Sequence, residues 1–205
     1  MTTGSSARWL GADRAEMAAD HILDAAGELF SERGVTSVSM RDVAERAGCS
    51  RATLYRYFPG RDDLHLAYVA RAAGILAERI DDAVRGPADA STTPADEPER
   101  RARLVGAVVM ALDGVRADPA LASWFADDAA GMTARLAMIS PVIETVTIRI
   151  LHAVVTDDIA DADLRARAHW VVRAIVSLLI APDEPGAERE MLERFVVPAV
   201  FGAES

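Results

Sequence analysis

Ser39-Met40-Arg41-Asp42-Val43-Ala44-Glu45-Arg46-Ala47-Gly48-Cys49-Ser50-Arg51-Ala52-Thr53-Leu54-Tyr55-Arg56-Tyr57-Phe58 spells two short helices, each opened by a serine, with a glycine between them. Ser39 is a favoured N-cap, and Asp42 three residues on completes a capping-box pattern. Met40, Val43, Ala44 and Ala47 recur at helical spacing and turn inward. Gly48 permits a tight turn that a Cβ would resist. Ser50 caps the next helix, Leu54 and Phe58 face the core, and Pro59-Gly60 stops it. The open face of this second helix carries Ser50, Arg51, Ala52, Thr53, Tyr55 and Arg56. This is the layout of a helix-turn-helix whose second helix enters a DNA groove.

Charge supports the same reading. The whole chain carries −10, with 22 arginines and no lysine, a usage we read as codon bias of a GC-rich genome. Between Arg33 and Arg61, six arginines face Asp42 and Glu45, a local +4 that leaves −14 for the rest. Such asymmetry marks one basic docking face on a body that repels nucleic acid. On that face Arg51 has the planar fork that matches guanine O6 and N7, and Ala52 and the Thr53 methyl suit a thymine methyl. Ser39, Tyr55 and Tyr57 bring hydroxyls, and Arg41, Arg56 and Arg61 bring charge, to phosphates that fix register without reading sequence. The helix starts at 39 and 50 offer amides to the same phosphates.

Upstream, Ile22, Ala25, Ala26, Leu29 and Phe30 form one apolar stripe on a first helix that Gly34 ends. Residues 1–16 read as a polar flexible arm, in which Arg8 and Arg14 are candidates to touch DNA. Downstream, a long helix runs from Arg61 to about Arg85, with Leu64, Tyr68, Ala72, Ile75 and Ile80 at helical spacing. Residues 86–97 read as a Pro-, Ser- and Thr-rich loop. Pro98 opens a helix to about Arg116, and Asp118-Pro119 opens a short one holding Leu121, Trp124 and Phe125. Residues 127–155 read as one helix that Ser140-Pro141 kinks or restarts. Asp161–Ile180 is the most apolar helix and is expected to be buried on nearly all sides. A turn at Pro182–Gly186 precedes a last helix from Glu188 to about Val197, which Pro198 ends or bends. No strand and no internal repeat is evident. The expectation is an all-α chain of about nine helices: arm 1–16, helix-turn-helix domain 17–62 and ligand-binding and dimerisation domain 63–205.

Other classes fit less well. His21, His65, His152 and His169 do not cluster at metal-ligand spacing, and neither a nucleophile elbow nor a phosphate-cradling glycine loop is present, so no enzyme, metal or cofactor is expected. The single cysteine, Cys49, excludes an internal disulfide and reads as a small residue tolerated at the turn rather than a redox sensor. No apolar run reaches the ~20 residues that span a bilayer, and no leader pattern is seen, so a cytoplasmic protein is expected. A regulator controlled by a protein partner, or a DNA-binding protein without any effector, remains the alternative to a ligand-controlled one.

The run Ile22-Leu23-Asp24-Ala25-Ala26, Leu29-Phe30, Gly34, Val43-Ala44, Ala47-Gly48, Ser50, Thr53-Leu54-Tyr55, Tyr57-Phe58 and Leu64 resembles the N-terminal domain of TetR-family transcriptional regulators. At Ala19 the chain departs from the family, which often has an arginine there. The resemblance implies a bacterial homodimeric repressor on a pseudo-palindromic operator, in which the fourth helix links the DNA-binding head to a ligand-binding body. A small molecule in that body would change the spacing of the two heads and release DNA. The last two long helices would form the dimer interface.

Candidate pocket residues, taken from the helices over 98–155, are Met110, Trp124, Phe125, Met132, Leu136, Met138, Ile139, Ile143 and His152, with Arg135 and Arg149 as further polar anchors. Their composition points to an apolar or amphipathic effector. Candidate interface residues are Trp170, Arg173, Ala174, Leu178, Leu192 and Phe195. Arg173 lies inside an apolar run, where a buried arginine needs an acidic partner.

Overall fold

The structure is a computed structural model; it describes residues 4–85, 96–155 and 160–202. All regular structure among them is helical: α1 Gly4–Arg33, α2 Met40–Arg46, α3 Arg51–Tyr57, α4 Arg61–Arg85, α5 Glu97–Ala117, α6 Pro119–Ala122, α7 Ala130–Ile139, α8 Pro141–Val154, α9 Asp161–Ile180, α10 Pro185–Met191 and α11 Val197–Phe201. No single helix is long and apolar enough to cross a membrane. The chain divides into two compact units, Met1–Tyr68 and Val69–Ser205, so α4 contributes to both. The division falls at Tyr68 rather than at 62, because the first turns of α4 pack back on α1. The Phe30 ring meets His65 at 5.7 Å and Tyr68 at 5.0 Å, both edge to face.

The first unit is built as its sequence pattern dictates. Ile22, Leu23, Ala25, Ala26, Leu29 and Phe30 are buried on α1, Val43 and Ala44 on α2, Leu54 on α3, and Leu64 on α4. Burying each large apolar side chain contributes about 1.5–3 kcal/mol, which holds two seven-residue helices that would not persist alone. Gly34 and Gly48 lie at φ 76° and 62°, the left-handed region. The backbone of α1 runs helical back to Gly4, over most of the stretch expected as a flexible arm; 1–3 lie outside the described residues. The composition agrees, since no proline interrupts 4–33.

In the second unit, α5, α8, α9 and the α10–α11 run surround one core. Asp96 caps α5 by accepting from the Glu99 amide at 2.9 Å, so the helix starts at Glu97, with Pro98 one residue inside it. The expected loop at 86–97 falls, for 86–95, outside the described residues. Asp118 caps α6, and Ser140 caps α8 after a 65° bend from α7. On α4 the inward positions are Ala77, Ile80 and Val84; Ile75, expected inward, is exposed.

Three further expectations change. First, α9 is apolar but not enclosed: Trp170, Arg173, Ser177 and Ile180 form an exposed stripe at i, i+3, i+7 and i+10. Arg173 is therefore not a buried arginine. The buried ion pair lies elsewhere, between Arg116 of α5 and Glu188 of α10. Second, the last helix begins at Pro185, not at Glu188. Third, Pro198 neither ends nor breaks it. A π-turn at Leu192–Val196 precedes Pro198, which sits in the first turn of α11. One extra residue in the turn absorbs the missing amide and the ring.

Candidate nucleic-acid interface and internal cavity

Ser39 and Ser50 set the geometry of the first unit. The Ser39 amide donates to Asp42 Oδ2 at 2.9 Å and its hydroxyl donates to the same oxygen at 2.5 Å. The Asp42 amide returns the bond to Ser39 Oγ. These bonds to the Ser39 hydroxyl and amide hold the Asp42 carboxyl below the usual carboxylate range. The Ser50 hydroxyl accepts from the Thr53 amide at 3.1 Å and lies 2.9 Å from Thr53 Oγ1. The turn between the helices closes by the Ala47 amide donating to Val43 and the Cys49 amide donating to Ala44. His21 of α1 lies with Nε2 3.2 Å from the Ala47 carbonyl, tying the turn to the first helix. Cys49 is half-buried there as a free thiol.

α3 presents Arg51, Ala52, Tyr55 and Arg56 outward, while Leu54 is fully buried beneath them. Tyr55 is 48% exposed. Thr53 and Tyr57 are half-buried, and the Arg56 guanidinium stacks on the Tyr57 ring at 5.1 Å. Arg41 is exposed at the start of α2.

The arginines are not equivalent. Arg46 is held by Glu32 at 2.6 Å and Glu28 at 3.0 Å, both from α1, so two acids outside the 33–61 window offset part of the local +4. Arg33 approaches Asp42 at 4.0 Å. Arg61, expected to face a phosphate, turns Nη2 to the Val35 carbonyl at 2.9 Å and the Thr36 carbonyl at 2.7 Å. One guanidinium nitrogen, with two protons to give, serves both carbonyls. Arg61 is thus a fastening between α4 and the α1–α2 connection. Ser39 likewise spends its hydroxyl proton on the cap. The basic outward set that remains is Arg41, Arg51 and Arg56.

His65, buried behind Phe30, has its pKa pushed down to about 4, chiefly by burial and then by the nearby Arg61 charge. The ring is therefore neutral at neutral pH.

The second unit holds a cavity of about 180 Å3. Stripes from α4, α5, α7, α8 and α9 line it, together with Leu121, Trp124 and Phe125 from the α6 turn. Of the candidate pocket residues, Trp124, Phe125, Leu136 and Ile143 line it, and Met110, Met132, Met138, Ile139 and His152 do not. Ile139 and His152 are exposed on the outer sides of α7 and α8, and Met110 packs against the core instead. The residues that make the space are alanines that composition could not single out: Ala72, Ala73 and Ala77 of α4, Ala107 and Ala111 of α5, and Ala137 of α7. Of the expected interface residues, Leu178 and Leu192 are buried in the chain's own core. Trp170 and Arg173 are exposed, Ala174 is half-buried, and Phe195 is 58% exposed.

A capped helix pair over a small buried core, with an outward arginine- and tyrosine-bearing second helix, defines a helix-turn-helix head. Residues 22–68 match the family model described as bacterial regulatory proteins, tetR family. The chain is 41% identical over 196 residues to the uncharacterized HTH-type transcriptional regulator Rv1255c of Mycobacterium tuberculosis (strain H37Rv), a match covering 95% of this chain and 91% of that protein. Its fold is that of a TetR transcriptional regulator from Rhodococcus sp. RHA1, with a TM-score of 0.65 at 20% identity, covering 93% and 99% of the two chains. It also matches the TetR family repressor AlkX from Dietzia sp. strain DQ12-45-1b, implicated in biodegradation of n-alkanes, with a TM-score of 0.56 at 26% identity over 88% and 95% of the chains. The chain belongs to the tetR family of bacterial regulatory proteins and is a DNA-binding transcriptional regulator, not an enzyme.

Proposed function

We propose that this regulator is a homodimeric repressor that binds a pseudo-palindromic operator through α3 and leaves it when a small apolar molecule fills the cavity. The observation that carries the DNA-reading part is the outward row Arg51, Ala52, Tyr55 and Arg56 over a buried Leu54, fixed in place by the Ser39 and Ser50 caps. In this reading Arg51 meets a guanine edge, and Arg41, Tyr55, Arg56 and Tyr57 meet phosphates. Dimerisation is supported by the exposed stripe of Trp170, Arg173 and Ile180 with Phe195, more apolar surface than a single copy has reason to expose. Two heads then meet half-sites about one turn of DNA apart, ~34–36 Å.

Repression and release by ligand are supported by the cavity and by the likeness to AlkX. α4 supplies both head residues, His65 and Tyr68, and cavity-wall residues from Val69 to Ile80. A ligand that fills the wall therefore acts on the same helix that carries the head. Electrophoretic mobility shift with an operator selected from random duplexes tests the assignment. Arg51→Ala with Tyr55→Phe should lose the shift at protein concentrations where the parent binds fully. An undiminished shift would overturn it.

A further inference from the structure

Among the described residues 27 line the cavity, and none of them carries a charged or amide side chain. Apart from the indole of Trp124, the polar side chains among these described lining residues are Thr133 and Thr147. Both have spent their single hydroxyl proton inside the protein: Thr133 Oγ1 donates to the Trp124 carbonyl and Thr147 Oγ1 to the Ile143 carbonyl at 2.8 Å. What they leave to a guest is lone pairs. The two arginines expected from sequence to anchor a polar group do not reach the wall. Arg149 is paired with Asp81 of α4 at 2.9 Å, and Arg135 is exposed.

We propose that the cavity selects an uncharged hydrocarbon about the size of a substituted benzene or a short branched alkane, and excludes carboxylic acids. The proposal rests on reading the cavity as the effector site and narrows what that site takes. A carboxylate buried against this wall would surrender its hydration and meet no cation and no threonine proton, with the Trp124 indole as the one N–H side chain in the described lining, a loss apolar contact does not offset. A hydrocarbon surrenders nothing and gains contact along the wall, because an unfilled apolar space forfeits dispersion in proportion to its volume. Size sets the other limit. An engineered apolar cavity of about 150 Å3 stays dry and binds benzene, so a space of about 180 Å3 holds about one ring with a short substituent. The alanines on α4, α5 and α7 set that size. A single larger side chain at Ala111 or Ala137 would occupy the volume a guest needs.

The test uses the full-length chain and two probes, ethylbenzene and phenylacetate, that differ by a methyl against a carboxylate. Binding is read by ligand-observed NMR titration, and operator release by mobility shift with the same samples. Ala111→Leu and Ala137→Leu are made separately, each checked for a parent-like helical melt so that at least one folded variant is available. The proposal expects saturable binding of ethylbenzene, weakened at least about tenfold in a folded variant, and phenylacetate at least about 100-fold weaker. Phenylacetate binding as tightly as ethylbenzene, with the same sensitivity to the alanine variants, would overturn the ligand class while leaving the cavity as an effector site. Binding of neither probe would overturn it as well. Ethylbenzene that binds the cavity yet leaves the operator complex intact would uphold the selectivity and refute release by this site.

Discussion

Arg61→Met separates a fastening from a phosphate contact at the same residue. Arg61 Nη2 donates to two carbonyls of the α1–α2 connection at 2.9 and 2.7 Å. A hydrogen bond from a charged donor contributes about 1.5–3 kcal/mol when buried. Here one nitrogen serves both acceptors and the side chain is exposed, so the pair is worth about 1–2 kcal/mol in total. For a chain of this length, 1 kcal/mol moves the melting temperature by about 2–4 °C. Arg61→Met should therefore lower Tm by roughly 2–8 °C at fixed protein concentration. A phosphate contact would behave differently. Its loss would reduce the slope of log affinity against log salt by about 0.9 and weaken every DNA sequence alike. The two measurements are thermal unfolding by circular dichroism and operator affinity across a salt series. The expected result is a lower Tm with an unchanged slope. An unchanged Tm with a slope reduced by about one, restored by Arg61→Lys, would refute the assignment.

Other consequences follow from particular contacts. A Cβ at Gly27 would lie 3.1 Å from the Tyr68 ring edge and hydroxyl, so Gly27→Val should destabilise the head by about 1–2 kcal/mol, measured by denaturant midpoint. Adding Tyr68→Phe to Gly27→Ala should recover part of the smaller loss in that variant. Glu188 is 4% exposed and accepts from both Arg116 guanidinium nitrogens and the Asp183 amide, while Arg116 is a third exposed. Glu188→Leu should cost about 2–3 kcal/mol, less than a fully buried pair, and the Arg116→Met/Glu188→Leu double variant should regain most of it by urea titration. The Arg116 hydrogen bonds hold the Glu188 carboxyl below its usual range, so its contribution is present above the unfolded pKa near 4.5 and is lost as pH falls further. His65 acts in a higher window. With its folded pKa near 4 against 6.5 unfolded, the unfolded chain binds the extra proton between those values, so stability falls as pH drops from 6.5 towards 4. His65→Phe should flatten that part of the pH–Tm profile.

The head was legible because its signals are local. Caps, turn glycine and inward positions lie within a few residues of one another, and Ser39, Gly48, Ser50 and Leu54 occupy the places their chemistry prescribes. The bounds of α4 and α9 and the restart at Ser140-Pro141 were equally readable, since proline and helix period act at short range. What was missed depends on partners far along the chain. Arg61 reads as a free cation until Val35 and Thr36 are brought beside it across 26 and 25 residues. The buried acid is Glu188 rather than a partner of Arg173, because composition cannot say which side of an apolar helix meets the core. Met110 and Met138 drew notice as pocket residues, whereas the space is made by alanines, which look alike wherever they fall. Leu192 was expected at an interface and fills the chain's own core.

The central claim is that α3 reads DNA through Arg51. Its most direct test is the affinity of the parent and of Arg51→Ala for the selected operator and for a set with each base pair changed in turn. The account predicts that Arg51→Ala loses about 1–3 kcal/mol on the operator and becomes indifferent to one base pair in each half-site, a guanine in the parent's preference. A uniform loss across all substituted sites, with the parent's base preferences intact, would contradict it.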